Sequence, residues 1–362
     1  MLKINPLSTL YVGIDVSSKS NYVCALDFFK NNYINSSFAN NQPGAEELAL
    51  KILECLNQHP DLTMVVAALE STSVYSIHIA NYLSSCEELM RFKPYVFVLN
   101  PKCTANYKKS YIGLGKSDPI DAFVIADYAR AGNIESEPWR GSQFLALKRL
   151  TRHRIHLVEC MTREKTYLIS NLYLKFSELQ MLEGDDQPFC DIYGATSSSV
   201  LMEYLSPEEI LASSEENLIA FLAEKSRNRI KDISKTADLL KKAARDSYRL
   251  DKALYEPLNV SIASSFNCIE TFKREIKVID NAIEKEIKGL NPNAFIILQS
   301  IDGIGPVFAG GIIAEIGDIT AFHSSDALAK YAGLTWKSNQ SGDFYGEDTP
   351  MIKAGNRYLR YY

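Results

Sequence analysis

The sequence lacks an apolar run long enough to cross a membrane, and its first residues lack the pattern of a secretory signal. Its hydrophobic fraction of 46% and charged fraction of 23% are ordinary for a globular protein. We therefore expect a cytoplasmic protein without a membrane partner. The length of 362 residues is enough for two or three domains.

The sequence also lacks a cluster of cysteine or histidine residues. Its seven cysteines are scattered, odd in number and without a C-x-x-C pair, which is typical of reduced thiols. Among the five histidines, His153 and His156 lie between arginines that would repel a cation. We expect neither a disulfide framework nor a cysteine–histidine metal site.

Over the whole chain, basic residues are slightly fewer than acidic residues. Lysine and arginine number 39 against 44 acidic residues, which leaves a net charge of −5. This total argues mildly against nucleic-acid binding, although basic residues concentrated on one face can still bind phosphate. The distribution of charge therefore matters more than its sum.

The segment KSDPIDA at positions 116–122 is the most informative feature of the chain. Asp118 and Asp121 are three residues apart at the start of a predicted helix, so their side chains lie on one face. Pro119 suits a first helical turn, and Gly132 ends the apolar pattern. Acids in a first turn are often only partners of the helix dipole, and a functional role needs further evidence.

Hydrophobic patterns predict an α/β domain at the N-terminus. Strands are predicted at 10–16, 21–28, 33–38, 63–69 and 95–99, and helices at 44–56, 74–83 and 122–130. Three strands followed by helix, strand, helix, strand and helix is the order of an RNase H-like domain.

Four carboxylates occupy positions that this fold would bring to one edge of the sheet. Asp15 lies on the first strand, which is central, Glu70 ends the fourth, and Asp118 and Asp121 begin the last helix. An unpaired acid within a strand is expensive to bury, so Asp15 needs a partner. Four carboxylates suit Mg²⁺ or Mn²⁺, and two such ions can assist phosphoryl transfer.

The segment before the acidic pair is rich in positive charge and tyrosine. The lysines are Lys93, Lys102, Lys108, Lys109 and Lys116, interleaved with Tyr95, Tyr107 and Tyr111. These residues could contact a phosphate backbone and stack on bases, or they could form a solvated loop.

From position 142 the pattern changes to long helices. Apolar residues keep a helical period for some forty residues, and a heptad pattern runs from Ile269 to Leu290. We expect two long coiled-coil helices that pair with each other or with another protomer. The basic residues Arg149, Arg152 and Arg154 either form a solvated face or bind nucleic acid.

The last seventy residues suggest a mainly helical domain that contacts phosphate. The sequence IDGIG at 301–305 is similar to a helix-hairpin-helix motif, in which backbone amides near Gly303 and Gly305 would hold a phosphate. Lys353 and Arg357 are further candidates for nucleic-acid binding. Ser341 precedes a glycine, and spacing alone makes it a turn residue.

Short motifs spread over nearly the whole chain resemble the DEDD transposases of insertion sequences. These proteins are relatives of Piv-type DNA invertases and are known as bridge-RNA-guided recombinases. The motifs are Gly13-Ile14-Asp15-Val16 with Lys19, Glu70-Ser71-Thr72, Asn100-Pro101, Lys116-Ser117-Asp118 with Asp121-Ala122, Ile301-Asp302-Gly303-Ile304-Gly305, Tyr331-Ala332-Gly333-Leu334, Gln340-Ser341-Gly342 and Lys353-Ala354-Gly355-Asn356.

The resemblance implies a RuvC-like domain over 1–140, a coiled-coil region over 141–292 and a transposase domain over 293–362. It implies that Asp15, Glu70, Asp118 and Asp121 hold Mg²⁺ and that Ser341 attacks DNA to form a phosphoserine link. It further implies a prokaryotic, cytoplasmic protein that recombines donor and target DNA with a structured guide RNA. The homo-oligomer would be a dimer of dimers, in which the serine of one protomer completes the metal site of another. Family members usually continue past the position of Tyr362, so we expect a shortened form.

Three other functions fit parts of the sequence. A RuvC-like nuclease would hydrolyse DNA with metal-bound water and leave Ser341 structural. An actin-like ATPase or sugar kinase shares the Gly13-Ile14-Asp15 pattern, but its second Asp-x-Gly hairpin is missing from the sequence. A catalytically inert nucleic-acid-binding protein would show salt-dependent binding without metal-dependent cleavage.

Overall fold

The computed structural model describes residues 4–71, 73–134, 138–139, 143–336, 340–341, 344–346 and 349–362. Packing divides the chain into two compact units. One unit contains Met1–Ala146 and Ile316–Arg357, and the other contains Leu147–Glu315 and Tyr358–Tyr362. The three-domain division at positions 140 and 292 stays a prediction. Within the described part of the chain, no helix combines the length and the apolar character needed to cross a membrane.

A five-stranded mixed sheet forms the centre of the first unit. Its strands are β1 (Thr9–Val16), β2 (Ser20–Leu26), β3 (Asn32–Ala39), β4 (Met64–Glu70) and β5 (Tyr95–Leu99). Their spatial order is β3-β2-β1-β4-β5, with β1 antiparallel to β2 and parallel to β4. The predicted strands and the central place of β1 are confirmed. The sheet is consistent with an RNase H-like domain.

The two faces of the sheet are covered by different helices. The helices of this part of the chain are α1 (Gln42–Gln58), α2 (Tyr75–Ser85), α3 (Pro101–Lys108) and α4 (Asp118–Arg130). Because side chains alternate along a strand, Leu10, Val12 and Ile14 face a core that includes α1 and α2. Tyr11 faces the opposite core, which contains Ile125 of α4. Position 15, in phase with Tyr11, therefore lies on the α4 face.

Helix α3 corrects one expectation. Within the basic segment 93–116 the strand at 95–99 was predicted, but the helix of eight residues that follows it was not. Asn100 caps this helix by accepting a hydrogen bond from the Lys102 backbone N–H, and Pro101 occupies the first turn. The local sequence therefore carried a helix-start signal within the charged segment.

The second unit is helical. The helices that lie wholly or largely in it include α5 (Gln143–Lys175), α6 (Ala195–Glu203), α7 (Pro207–Ala212), α8 (Glu215–Ser226), α9 (Ile233–Asp246), α10 (Lys252–Leu290), α11 (Pro292–Gln299) and α12 (Pro306–Ile316). Two long helices are present as predicted, and Leu168 and Leu172 of α5 share a core with Ile262, Phe266 and Ile269 of α10. The association of α5 and α10 as a coiled coil stays a prediction.

The remaining elements are short. They are α13 (Ser325–Ala332), β6 (Gln340–Ser341), β7 (Phe344–Tyr345) and α14 (Arg357–Tyr361). Strands β6 and β7 pair antiparallel, with Ser341 opposite Phe344. The candidate serine thus lies on a short hairpin of the first unit.

Candidate active site

The strand register places Asp15 beside Glu70. Strands β1 and β4 run parallel, and Ile14 pairs with Leu69 in their register. The next residue along each strand is therefore Asp15 on β1 and Glu70 on β4. Neighbouring residues of paired strands project to the same face, so both carboxylates start from the same edge of the sheet.

Gly13 allows the N-terminal part of α4 to approach this edge. A Cβ atom at position 13 would lie 2.2 Å from the carbonyl oxygen of Ala122 and 2.3 Å from the backbone nitrogen of Ala126. Only glycine permits backbone of a helix to pack so closely on a strand. The first turn of α4 carries Asp118 and Asp121, and this contact brings that turn towards Asp15, two residues beyond Gly13 on the same face.

The carboxyl of Asp15 is affected by the charges of the other three acids. Burial and, to a smaller extent, the charges of Asp121, Asp118 and Glu70 together raise the pKa of the Asp15 carboxyl from 3.8 to about 6. The positive charge of Lys108 works in the opposite direction. Glu70, Asp118 and Asp121 are therefore near enough to Asp15 for their charges to act on it. We refer to these four acids as the acid cluster; that they form one metal site stays a prediction.

Two side chains of α3 contact this cluster. The Thr104 hydroxyl donates a hydrogen bond to the Glu70 carboxylate, and the Lys108 ammonium lies 2.5 Å from Oδ1 of Asp121. Sequence reasoning assigned Lys108 to nucleic-acid binding and did not identify Thr104. Their position four residues apart on one helix face could have linked them, had α3 been recognised as a helix.

The donor chemistry of the cluster suits a divalent cation. Glu70, Asp118 and Asp121 place negative charge around Asp15, and a hard cation would relieve that repulsion. Among the described residues, however, no three acidic, histidine or cysteine side chains converge closely enough to chelate one ion in the present side-chain arrangement. The carboxylates of Glu70 and Asp121 are instead directed to Thr104 and Lys108.

Asp127 of α4 is a further acid that sequence reasoning missed. Its side chain is fully buried, with Oδ1 2.6 Å from Nε of Arg130 and 3.1 Å from Nζ of Lys30. Tyr107 donates to Oδ2 at 2.8 Å, and Tyr111 donates to the same oxygen. Burial works to raise the pKa of this carboxyl, but these hydrogen bonds outweigh it and hold the pKa below 3.8. An acid on the apolar face of a predicted helix was the available signal.

The tyrosines of the basic segment have structural contacts. Besides their bonds to Asp127, Tyr107 and Tyr111 pack edge to face, with ring centroids 5.8 Å apart. Tyr107 also packs against Tyr128, and Tyr111 against Phe123. Their edges and hydroxyls are therefore engaged, which argues against the base stacking that the sequence suggested.

The other lysines of this segment are exposed. The exposed set is Lys93, Lys102, Lys109 and Lys116. Among the hydrogen bonds of the described residues, the ammonium of Lys109 donates only to the side chain of Asn106, at 3.0 Å. These four ammonium groups remain candidates for contact with phosphate.

The basic residues of α5 differ in their surroundings. Arg149 is exposed, whereas Arg152 forms a two-pronged ion pair with the buried Glu315 at 2.7 and 2.9 Å. Arg154 pairs with Asp280 of α10. Arg152 and Arg154 are thus held by acids of their own unit, and nucleic-acid contact remains a prediction with less support for these two than for Arg149.

The turn between α11 and α12 leaves room at both of its glycines. Gly303 has a φ of +90°, which favours glycine, and a Cβ at position 303 or 305 would meet nothing within 4 Å. The backbone here is accessible to a ligand. Phosphate binding by Gly303 and Gly305 remains a prediction.

The hairpin that carries Ser341 is held at its base by two of the recognised motifs. The N–H of Asn356 donates to the carbonyl oxygen of Tyr331 at 2.7 Å, and that of Ile352 donates to Thr335 at 2.8 Å. A Cβ on Gly355 would lie 2.4 Å from the backbone nitrogen of Gly333. The motifs at 331–334 and 353–356 therefore pack against each other.

The predicted residues near this hairpin can be placed only in part. The backbone of Ser341 is in β6, while its side chain and Gly342 lie outside what the structure describes. Lys353 is exposed with a φ of +50°, and Arg357 is exposed at the start of α14. The roles of these residues stay predictions.

Two family models match the chain. A transposase model of the DEDD type of IS110 matches residues 12–177, which include all four acids. A model for transposases of the IS116/IS110/IS902 family matches residues 296–362, which include Ser341. The two matches lie in the order in which the acidic motifs and the serine motif occur.

Curated relatives point in the same direction. The chain is 29% identical over 254 residues to an uncharacterized 42 kDa protein of insertion element IS900 from Mycobacterium paratuberculosis. It is 28% identical over 257 residues to an uncharacterized 43.6 kDa protein of insertion element IS110 from Streptomyces coelicolor. Each match covers 69% of this chain, and the chain spans 59% of the length of each relative.

A third relative is named for a reaction on DNA. The pilin gene-inverting protein of Moraxella lacunata is 26% identical over 160 residues, which are 44% of this chain and 46% of the relative.

Proposed function

Because the chain belongs to the IS110 family of insertion-sequence transposases, we propose that it is a DNA recombinase that cuts and rejoins donor and target DNA. The observation that carries this proposal is that Asp15 and Glu70 lie side by side at one sheet edge, with Asp118 and Asp121 near enough for their charges to act on Asp15. The pilin gene-inverting relative supports recombination rather than simple degradation of DNA.

The four acids would hold Mg²⁺, with Mn²⁺ as a substitute. When bound there, a divalent ion supplies positive charge that offsets the charge of the reacting phosphate. Asp15 is fixed by its strand and Glu70 by the neighbouring strand, so their backbone positions need no rearrangement. In the present arrangement one oxygen of Glu70 accepts from Thr104 and one oxygen of Asp121 contacts Lys108.

Ser341 is the proposed nucleophile. Its Oγ would form a bond to phosphorus while the bond from phosphorus to one DNA oxygen breaks, and that DNA end would leave as a hydroxyl. One phosphate ester replaces another, so the reverse attack by a new DNA end can join strands without an external energy source. The packing of 331–334 on 353–356 supports this role because it holds the hairpin of Ser341 from both sides.

Nucleic-acid partners would be donor DNA, target DNA and a structured guide RNA. Base pairing by the RNA would supply sequence specificity, and the protein would supply contacts to the backbone. The exposed lysines 93, 102, 109 and 116 support this division of roles, because an ammonium group can contact any phosphate of the backbone without reading a base. In the proposed dimer of dimers, the serine of one protomer would complete the acidic site of another.

Trapping a covalent adduct tests the proposed chemistry directly. We expect the unaltered protein, incubated with end-labelled element DNA, guide RNA and Mg²⁺, to retain the label on a denaturing gel. Ser341→Ala should lose the adduct because the attacking oxygen is gone. Ser338→Ala, three residues earlier, is the matched control and should keep it.

Cleavage without an adduct, equal in the unaltered protein and in Ser341→Ala, would contradict the serine mechanism. That result would favour the RuvC-like nuclease that hydrolyses DNA with metal-bound water. Loss of all strand cleavage in Asp15→Ala, but not in Asp61→Ala, would show that the acid cluster is required in either case.

A further inference from the structure

Helix α3 presents two polar side chains to the acid cluster from one face. Thr104 and Lys108 are four residues apart, and four residues bring helical side chains onto the same face. Thr104 donates its hydroxyl to Glu70, and Lys108 lies 2.5 Å from Oδ1 of Asp121. The Thr104 side chain is buried, and Lys108 is only 22% exposed.

The position of α3 is secured on its other side. Tyr107 lies between these two residues on the helix and donates to the buried Asp127 at 2.8 Å. Tyr111, which follows α3, donates to the same carboxylate oxygen. Because Asp127 belongs to α4, the network ties α3 to the helix that carries Asp118 and Asp121. Lys108 is therefore positioned by the packing of α3 on α4, unlike a lysine on a mobile surface segment.

The charge balance of the cluster gives this lysine a role. Three carboxylates destabilise the charged form of Asp15, and the ammonium of Lys108 partly offsets them. Without a cation, four carboxylates at one edge would also repel an approaching nucleic-acid backbone. A cation bound to Asp121 reduces both effects.

We propose that Lys108 is a counter-ion built into the acid cluster, which occupies a cation position at Asp121 and is displaced when a divalent cation binds there. Thr104 has the companion role of holding the Glu70 carboxylate in the cation-free arrangement. The inference rests on the proposed function, because it takes the acid cluster to be the site of a divalent cation. Lys108 then competes with the divalent cation for Asp121, and in this way α3 keeps the affinity of the site for divalent ions low.

Mn²⁺ binding to the full chain tests this proposal without measuring activity. Free Mn²⁺ is counted by electron paramagnetic resonance in titrations of the unaltered protein, Lys108→Met and Lys51→Met. Removing the competing ammonium should tighten Mn²⁺ binding about tenfold in Lys108→Met, as expected for loss of a like charge at short range. Lys51→Met makes the same change in net charge on α1 and should bind Mn²⁺ as the unaltered protein does.

A second pair of variants shows where the ion binds. Adding Asp15→Ala to Lys108→Met should abolish the tight Mn²⁺ binding, since Asp15 belongs to the same cluster. Thr104→Val should tighten binding by a smaller factor, because it frees Glu70 without removing a charge. Lys108→Gln repeats the main test with a polar side chain, and circular dichroism checks that each variant is folded.

The outcomes separate this inference from the proposed function. Equal Mn²⁺ affinity in the unaltered protein, Lys108→Met and Lys108→Gln, with binding abolished by Asp15→Ala, would overturn the counter-ion role and leave the metal site intact. Weaker binding in both Lys108 variants would also overturn it, because the lysine would then support the ion. No Mn²⁺ binding in any protein would contradict the proposed metal site itself.

Discussion

Asp15 combines two features that rarely occur together on a strand residue: it is central in the sheet and it is acidic. Its alternation with Tyr11 and Gly13 directs it to the face covered by α4. Burial and the neighbouring carboxylates raise the pKa of its carboxyl to about 6. The charged form of Asp15 is therefore disfavoured in the folded protein. An acid that lowers stability in this way is typical of a functional site.

This raised pKa predicts how stability depends on pH in the absence of metal. The unfolded chain releases the Asp15 proton near pH 4, whereas the folded protein keeps it until about pH 6. The free energy of unfolding therefore falls as the pH rises from about 4 to about 6, and above that range the folded protein carries the full cost of the charged carboxylate. Asp15→Asn should therefore raise the free energy of unfolding by about 1–2 kcal/mol at pH 8, a value reduced for partial exposure. The gain should shrink towards pH 5.

Urea unfolding in the presence of a chelator, from pH 5 to 8, measures this difference. Asp61→Asn, at an exposed position before β4, is the control and should change stability equally little at both ends of the range. A stabilisation by Asp15→Asn that is independent of pH would rule out the electrostatic explanation.

At the scale of elements, the site depends on how closely α4 packs on β1. Gly13 removes the side chain that would otherwise separate them, and Ala122 and Ala126 are the small residues opposite it. The helix begins with Asp118 and Asp121, so the contact that packs the core also sets the position of two acids. Helix α3 is tied to α4 through Asp127, and the three elements form one support for the cluster.

Gly13→Ala should show how strict this packing is. The new methyl group would meet backbone atoms of Ala122 and Ala126, which cannot rotate away as a flexible side chain can. We expect a loss of about 3 kcal/mol or more in the free energy of unfolding, at the upper end of overpacking effects. Urea denaturation gives this value.

Gly115→Ala is the matched control, since a Cβ there meets nothing within 4 Å. It should change stability by less than about 0.5 kcal/mol. If Gly13→Ala were equally mild, α4 could shift without loss, and the close approach would not be what positions the acids.

At the scale of the whole molecule, the net charge of −5 requires that nucleic-acid binding use local charge. The structure divides the basic residues of segment 93–116 into two groups. Lys108 is directed to the acid cluster, while Lys93, Lys102, Lys109 and Lys116 are exposed. Only the exposed group is available for contact with phosphate without a rearrangement.

Charge reversal at Lys109 should therefore weaken binding to nucleic acid. A phosphate contact contributes about one unit to the slope of log affinity against log salt, so Lys109→Glu should lower that slope by about 1. Fluorescence anisotropy with labelled duplex DNA at several salt concentrations measures it.

Lys51→Glu on α1 is the charge-matched control, since α1 packs on the face of the sheet opposite α4. Its slope should stay that of the unaltered protein. Equal slopes for all three proteins would mean that the segment around Lys109 is merely solvated.

The sequence alone determined the strands, their order along the chain and the family. Each strand is a local run of apolar residues with Gly or polar residues at its ends, and local patterns were enough to single out Asp15, Glu70, Asp118 and Asp121 as candidates. The family resemblance drawn from short motifs is confirmed by the two matching models. The domain bounds, the coiled coil and the roles of the four acids and of Ser341 remain predictions.

Only the tertiary structure decided which charged side chains meet. Lys108 and Asp121 are 13 positions apart, Tyr107 and Asp127 are 20 apart, and Arg154 and Asp280 are 126 apart. A lysine that binds phosphate and a lysine that neutralises a carboxylate look alike in sequence, because charge and flexibility are the same for both. Their partners depend on the placement of whole helices, here on the close contact of α4 with Gly13 and on the buried Asp127 that ties α3 to α4.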